Sequence, residues 1–470
     1  MAKPAYWDGL QTLETETTNA TLSWEGSPPA WLNGTLLRNG PGKFEAGAQL
    51  YNHWFDGLAM LHRFAFTNGQ VTYTGRYLQS DDYRETIAKN APARDEFATN
   101  RAGLLASIAP RLTGKPTDNC IVNVLPYGEH DIVALTEQPF PMRVDPKTLA
   151  TLGRFEWSDS LRSQISTAHP HYDAARQLIY NFEIAFGRPT VYRFTHMVPG
   201  SHRRDVVCEI ETSEPAYTHS FGMSDRYLIL AEFPLFTTPL RLLLSGRPYI
   251  QTYRWLPHRG TRFTVIDKEK GTIVRRAEAK ACFAFHHVNA YEENGAVMAD
   301  VVAFEDARII DALYLKELRS GKPLPQGVLT RFAIPLDNAP VAQTTFGAVA
   351  IELPRISYRR LAGRRHRYVW GIGDSGSQSI WDSIVKQDTE TSEFTSWSEG
   401  KTFPGEPVFV EVPGGEGEDN GVLLSVVLDG NRHCSFLLVL DAASLQERAR
   451  AYLPHAIPFG FHGNYFSAKS

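Results

Sequence analysis

The chain has 470 residues with 48 basic and 52 acidic side chains and a formal charge of -4, so nucleic acid, which calls for a basic face, is excluded as the main partner. Aromatic residues make up 11% of it, enough to line a large apolar cavity as well as a core. Cys120, Cys208, Cys282 and Cys434 lie far apart with no CxxC spacing, which argues against a zinc knuckle or disulfide framework and for a reducing compartment. The opening MAKPAYWDGLQTLETET has no signal-peptide apolar run, and no stretch of about 18 apolar residues could span a bilayer. The expected location is the cytoplasm.

In chain order, strand-like runs are GQVTYTGRYL, DIVALTE, QLIYNFEIAF, TVYRF, RYLILAEF, RFTVID, GAVMADVVAF, RYVWGIG, GVLLSVVLD and SFLLVLD, punctuated by NG, DG, GG and DP turns. That is an all-β pattern. Helical periodicity is scarce, and its best instance, DARIIDALYLKEL from Asp306 to Leu318, predicts an inserted helix. No linker divides the chain, so we expect a single domain over 1–470. So many short strands fit a propeller of four-stranded blades. Seven blades would take about 67 residues each, more than common propeller repeats, which predicts long loops on one face.

His169 in STAHPHYD, His219 in AYTHSFG, His287 in FHHVNAYE and His462 in FGFHGNY sit in comparable apolar settings near strand edges. They are too widely spaced for one local metal motif. A radial fold removes the objection, because the innermost strands of separate blades face one axis. In FHHVNAYEENG an extended chain sends His286 and His287 to opposite faces, so only one of them can look inward. Glu137, Glu352 and Glu406 each lie in apolar surroundings, where an unpaired carboxylate would be costly and a ligand imidazole would be a fitting donor.

The segments LLRNGPGKFEAG, YNHWFDGLAMLHRF, TDNCIVNV, STAHPHYD, THSFG, FHHVNAYEENG, PGEPVFV, DNGVLLSVV and FHGNY occur in an order that resembles the carotenoid cleavage oxygenases, the family that includes the retinoid isomerase of the retinal pigment epithelium. The resemblance covers nearly the whole chain. It implies a seven-bladed β-propeller capped by helical and loop insertions over its top face, with Fe(II) on His169, His219, His287 and His462. It further implies that Glu137 supports His219, Glu352 supports His287, Glu406 supports His462, and Val122 presses a methyl group toward one open iron position. His286 would then pack on the other face, and His171, His53 and His62 would not be ligands. The implied reaction is cleavage of a conjugated C=C bond of a carotenoid or apocarotenoid by O2 into two carbonyl products, with central 15,15' cleavage to retinal preferred. Alternatives on the same scaffold are a retinoid isomerase, separated by O2 consumption, a stilbene-cleaving oxygenase, and a non-catalytic ligand-binding propeller, which needs no metal. The stretch EFATNRAGLLAS lacks the PDPCK-like segment of the animal branch, and Asn119–Leu125 offers no Lys for a stilbene phenol.

A carotenoid resides in membranes, and two segments place leucines beside arginine. Leu104 and Leu105 lie in GLLASIAPRLTG, with Arg111. Leu235, Phe236, Leu242, Leu243 and Leu244 lie in FPLFTTPLRLLLSGRPYI, with Arg241 and Arg247. Both are expected to form a monotopic docking patch, making the protein peripherally membrane-associated. GDSGS at Gly373–Ser377 echoes a protease nucleophile motif but reads as a turn. RISYRRLAGRRHR, from Arg355 to Arg367, reads as a solvated hairpin or edge strand rather than a lipid site.

Overall fold

A computed structural model describes residues 3–100 and 116–468. Seven antiparallel sheets of four to six strands form the seven blades of a β-propeller, with two additional two-stranded pieces. Every strand-like run read from the sequence is a strand here, for example Gln70–Tyr77, Leu178–Ala185 and Gly421–Asp429. The turn chemistry works as expected at two tight hairpins. Asn68–Gly69 (φ 50° and 78°) and Asn294–Gly295 (φ 51° and 76°) both take the left-handed conformations that a two-residue hairpin requires.

The ring closes through both ends of the chain. The first sheet combines Thr17–Leu22, Gln70–Tyr77, Leu58–Thr67 and Gly34–Lys43 with the C-terminal strand Gly463–Ser467, while Trp24–Gly26 pairs with Glu447–Tyr452 in the last blade. Blades are glued by apolar layers; in one, Trp370 is fully buried, stacked on Phe409 at 4.8 Å, and its indole N–H donates to the Ala442 carbonyl at 3.1 Å. The four cysteines form no disulfide.

Two local expectations are corrected. Asp306–Leu318 is not one helix but two short ones, Arg308–Ala312 and Leu315–Leu318. Between them the chain turns to pair with the segment around His53: Leu313 O accepts from Trp54 N, and Leu315 N donates to Asn52 O. The arginine-rich run holds a short helix, Tyr358–Leu361, rather than a hairpin, and its partly exposed charges pair with acids, Arg360 to Glu411 at 2.8 Å, Arg365 to Glu293 at 3.0 Å and Arg367 to Asp388 at 2.7 Å. GDSGS is a turn closed on Asp382, whose Oδ2 accepts from both Ser375 and Ser377 hydroxyls at 2.6 Å.

Candidate metal centre

Each blade presents its innermost strand to the axis, and the chain just before such a strand arrives at one end of it. His219 precedes Gly222–Met223, His286 directly precedes His287–Glu293, His462 directly precedes Gly463–Ser467, and His169 lies between Ile165–Ser166 and His171–Asp173. Their ligating atoms all lie within 4.8 Å of one another. His169 Nε2 is 3.0 Å from His219 Nε2, and His286 Nε2 is 3.2 Å from His462 Nε2. The sequence reading placed His287 in this set. The structure brings His286 there instead, and turns His287 toward the neighbouring blade, where its Nδ1 is 2.9 Å from Ser220 Oγ.

Three carboxylates brace three of the imidazoles. Glu137 Oε1 accepts from His219 Nδ1 at 2.5 Å, Glu352 Oε2 from His286 Nδ1 at 2.6 Å, and Glu406 Oε1 from His462 Nδ1 at 2.7 Å. Glu352 thus supports His286, not His287 as expected, because it is His286 whose ring lies at the axis. A carboxylate can only accept, so each Nδ1 carries the proton and each Nε2 turns a lone pair inward. His169 makes no carboxylate hydrogen bond among the described residues. Burial, followed by the mutual repulsion of His462, His219 and His286, holds His169 well below the usual imidazole range. Burial also takes His462 down to about 4, against the pull of Glu406. Neutral imidazoles with converging lone pairs repel one another unless a cation lies between them.

The donor set fits a metal ion. Imidazole ligands about 2.1 Å from an ion and cis to each other are about 3.0 Å apart, which matches the two closest pairs. Four neutral imidazoles suit Fe, Zn, Cu or Ni rather than a hard oxygen-seeking cation.

Sequence reasoning missed two supports. Tyr217, on the same face as His219 two residues on, donates to Glu137 Oε1 at 2.8 Å. Arg38, buried at 4% exposure, donates to Glu406 Oε2 at 2.5 Å and to the Phe461 carbonyl at 2.8 Å. Burial works against ionisation of Glu406, but Arg355, His462 and Arg38 together outweigh it and hold the carboxyl well below its ordinary range.

The other histidines weighed from the sequence, His53, His62 and His171, have other partners. His53 accepts from Phe55 N and is 3.0 Å from Ile310 O, His62 meets Tyr73 OH at 2.9 Å, and His171 is held between Tyr358 OH at 2.7 Å and Phe221 O at 2.9 Å.

His219, His286 and His462 open on a cavity of about 910 Å³, walled on one side by Trp54, Phe55, Phe285, Trp381 and Phe461. Val122 lines it too, its carbonyl accepting from His462 N at 3.2 Å. The short helix Pro239–Leu244 borders it, with Leu242 and Leu243 lining the wall. Leu240 and Leu244 are 53% and 56% exposed. Leu235 and Phe236, expected in an exposed patch, are instead buried in a two-stranded piece against Arg254–Trp255. Leu104 and Leu105 lie outside the described residues. No helix among the described residues is long and apolar enough to cross a membrane.

Fold and site together are a seven-bladed propeller with four histidines converging beside a large cavity. The family model for the retinal pigment epithelial membrane protein matches residues 10–467. The chain is 36% identical to a mitochondrial carotenoid-cleaving dioxygenase of Macaca fascicularis, over 97% of this chain and 93% of that one. It is 33% identical to a β,β-carotene 15,15'-dioxygenase of Rattus norvegicus, over 95% and 89%. Among solved structures, the cobalt-substituted Synechocystis apocarotenoid oxygenase superposes with a TM-score of 0.88 at 27% identity, over 99% and 98%. The chain belongs to the carotenoid oxygenase family and is an enzyme of the dioxygenase class.

Proposed function

We propose that the protein is an Fe(II) dioxygenase that cleaves one conjugated C=C bond of a carotenoid or apocarotenoid, with O2, into two carbonyl products. The observation that carries this reading is the convergence of four imidazoles, three of which open on a large, mainly apolar cavity. His169, His219, His286 and His462 would hold the ion, with Glu137, Glu352 and Glu406 orienting three of them. Bound there, Fe(II) would supply the redox chemistry that O2 needs to react with an alkene. The chain does the rest. The aromatic wall takes up a long apolar substrate and excludes water, and the three glutamates keep the Nδ1 protons of His219, His286 and His462 in place so that the Nε2 atoms of these three stay available. The methyl groups of Val122, on the cavity wall, would narrow the space beside the ion.

Central 15,15' cleavage giving retinal is the preferred bond, supported by the likeness to proteins named for that reaction. Incubation with β-carotene and a series of apocarotenals, followed by product chromatography, should yield retinal from β-carotene. Products from eccentric bonds alone would contradict the choice of bond while leaving the reaction class intact.

Substrate delivery from a membrane is the natural complement in a cytoplasmic, peripherally associated enzyme. The exposed Leu240 and Leu244 stand on the helix whose Leu242 and Leu243 line the cavity, so leucines dipped into acyl chains would join the bilayer to the cavity. Burying two half-exposed leucines contributes about 3 kcal/mol, enough for reversible docking. Wild-type protein should therefore float with anionic liposomes, and Leu240→Glu/Leu244→Glu should stay in the soluble fraction. Equal flotation of the two would remove this helix as the docking element.

A further inference from the structure

The histidine that stays out of the cluster is tied to two of its members. Ser220, directly after His219, is buried and placed against the backbone on both sides of His286. Its hydroxyl donates to the Phe285 carbonyl at 2.7 Å, and its oxygen accepts from the His287 backbone N–H at 2.9 Å. The hydroxyl has one proton and gives it to Phe285, so at the third contact, 2.9 Å, it is His287 Nδ1 that donates to Ser220 Oγ. Three hydrogen bonds on one oxygen thus join the turns carrying His219 and His286, two ligand candidates from adjacent blades. The ring edge of His287 sits beside Gly222, where an added Cβ would come within 3.4 Å of His287 Cδ2 and 3.2 Å of Ile229 Cβ. Glycine there leaves the ring room, the tighter approach of an added Cβ being to Ile229.

We propose that Ser220 and His287 form a clasp that sets the spacing of the His219 and His286 turns, making His287 a positioning residue and not a ligand. The proposal rests on the reading of the four-histidine cluster as a metal centre. In a cluster whose two closest nitrogen pairs already stand at cis-ligand distance, a shift of a few tenths of an ångström between blades would change affinity and geometry without removing any donor.

The test is titration of the full-length apo-protein with Co(II), whose visible absorption reports both affinity and coordination geometry. Ser220→Ala and His287→Leu should each weaken Co(II) binding about 10- to 100-fold, as loss of an orienting partner does elsewhere, and shift the absorption bands, with one ion still bound per chain. Ser220→Thr keeps the hydroxyl and His287→Asn keeps a donor near the Nδ1 position, so both should recover most of the affinity and the wild-type spectrum. Binding by Ser220→Ala and His287→Leu within twofold of wild type overturns the clasp. So does failure of His287→Asn to recover the spectrum, because a purely space-filling role would be insensitive to a restored donor. If wild-type protein itself takes up no Co(II), the metal reading falls and the clasp with it, a result distinct from wild-type binding with unaltered variants.

Discussion

His286→Ala should abolish metal retention and turnover, lowering activity by more than the roughly 100-fold that loss of an outer-sphere partner costs. The variant removes one of four converging nitrogens and leaves Glu352, only 3% exposed, without the Nδ1–H that it receives at 2.6 Å. His287→Asn should keep near-normal metal content, because the His287 ring reaches Ser220 and not the axis. Metal analysis of the two purified variants side by side checks this. Equal metal loss in both would mean that the two adjacent histidines are not functionally distinct.

The second large effect is expected at Glu406. This carboxylate is 1% exposed and accepts from His462 Nδ1, Arg38 and Gly463 N, with Arg355 3.2 Å from Oε1. Glu406→Ala leaves two arginines facing each other across a buried space with no countercharge. Breaking a buried ion pair from one side costs about 3–5 kcal/mol, and loss of the imidazole's partner adds about 10- to 100-fold in metal affinity. The urea midpoint of the apo-protein should fall clearly, and that of Glu406→Gln should fall less, since the amide retains the shape and an acceptor oxygen. An unchanged midpoint in Glu406→Ala would show that Arg38 and Arg355 find compensation elsewhere.

Much of this was legible from the sequence because its signals are local. Alternating strands with NG turns mark an all-β chain, and so many short strands suggest a propeller, while the number of blades came only from the family resemblance. The histidine pair was harder for a physical reason. Period two says that His286 and His287 face opposite ways, but the phase depends on where the strand begins, and that is set by pairing with the next strand. The ladder is shifted between His287 and Asn289, an irregularity no residue type announces. Leu235 and Phe236 read as surface because arginines follow them closely, yet a two-stranded piece invisible to periodicity buries them. The helix Asp81–Lys89 has almost no apolar stripe; it is carried by its Ser80 cap, which accepts from Tyr83 N at 3.0 Å, so a search for apolar periodicity passes over it. Arg38 and Tyr217 escaped because their roles depend on partners hundreds or tens of residues away.

The most direct measurement is turnover of the iron-loaded protein with β-carotene under ¹⁸O₂, the carbonyl products being trapped by borohydride before they exchange with water. Two products are expected, each carrying one ¹⁸O atom, with O2 consumed in step with substrate and no turnover in His286→Ala. Substrate that is isomerised without O2 uptake, or products carrying oxygen from water alone, would contradict the dioxygenase reading.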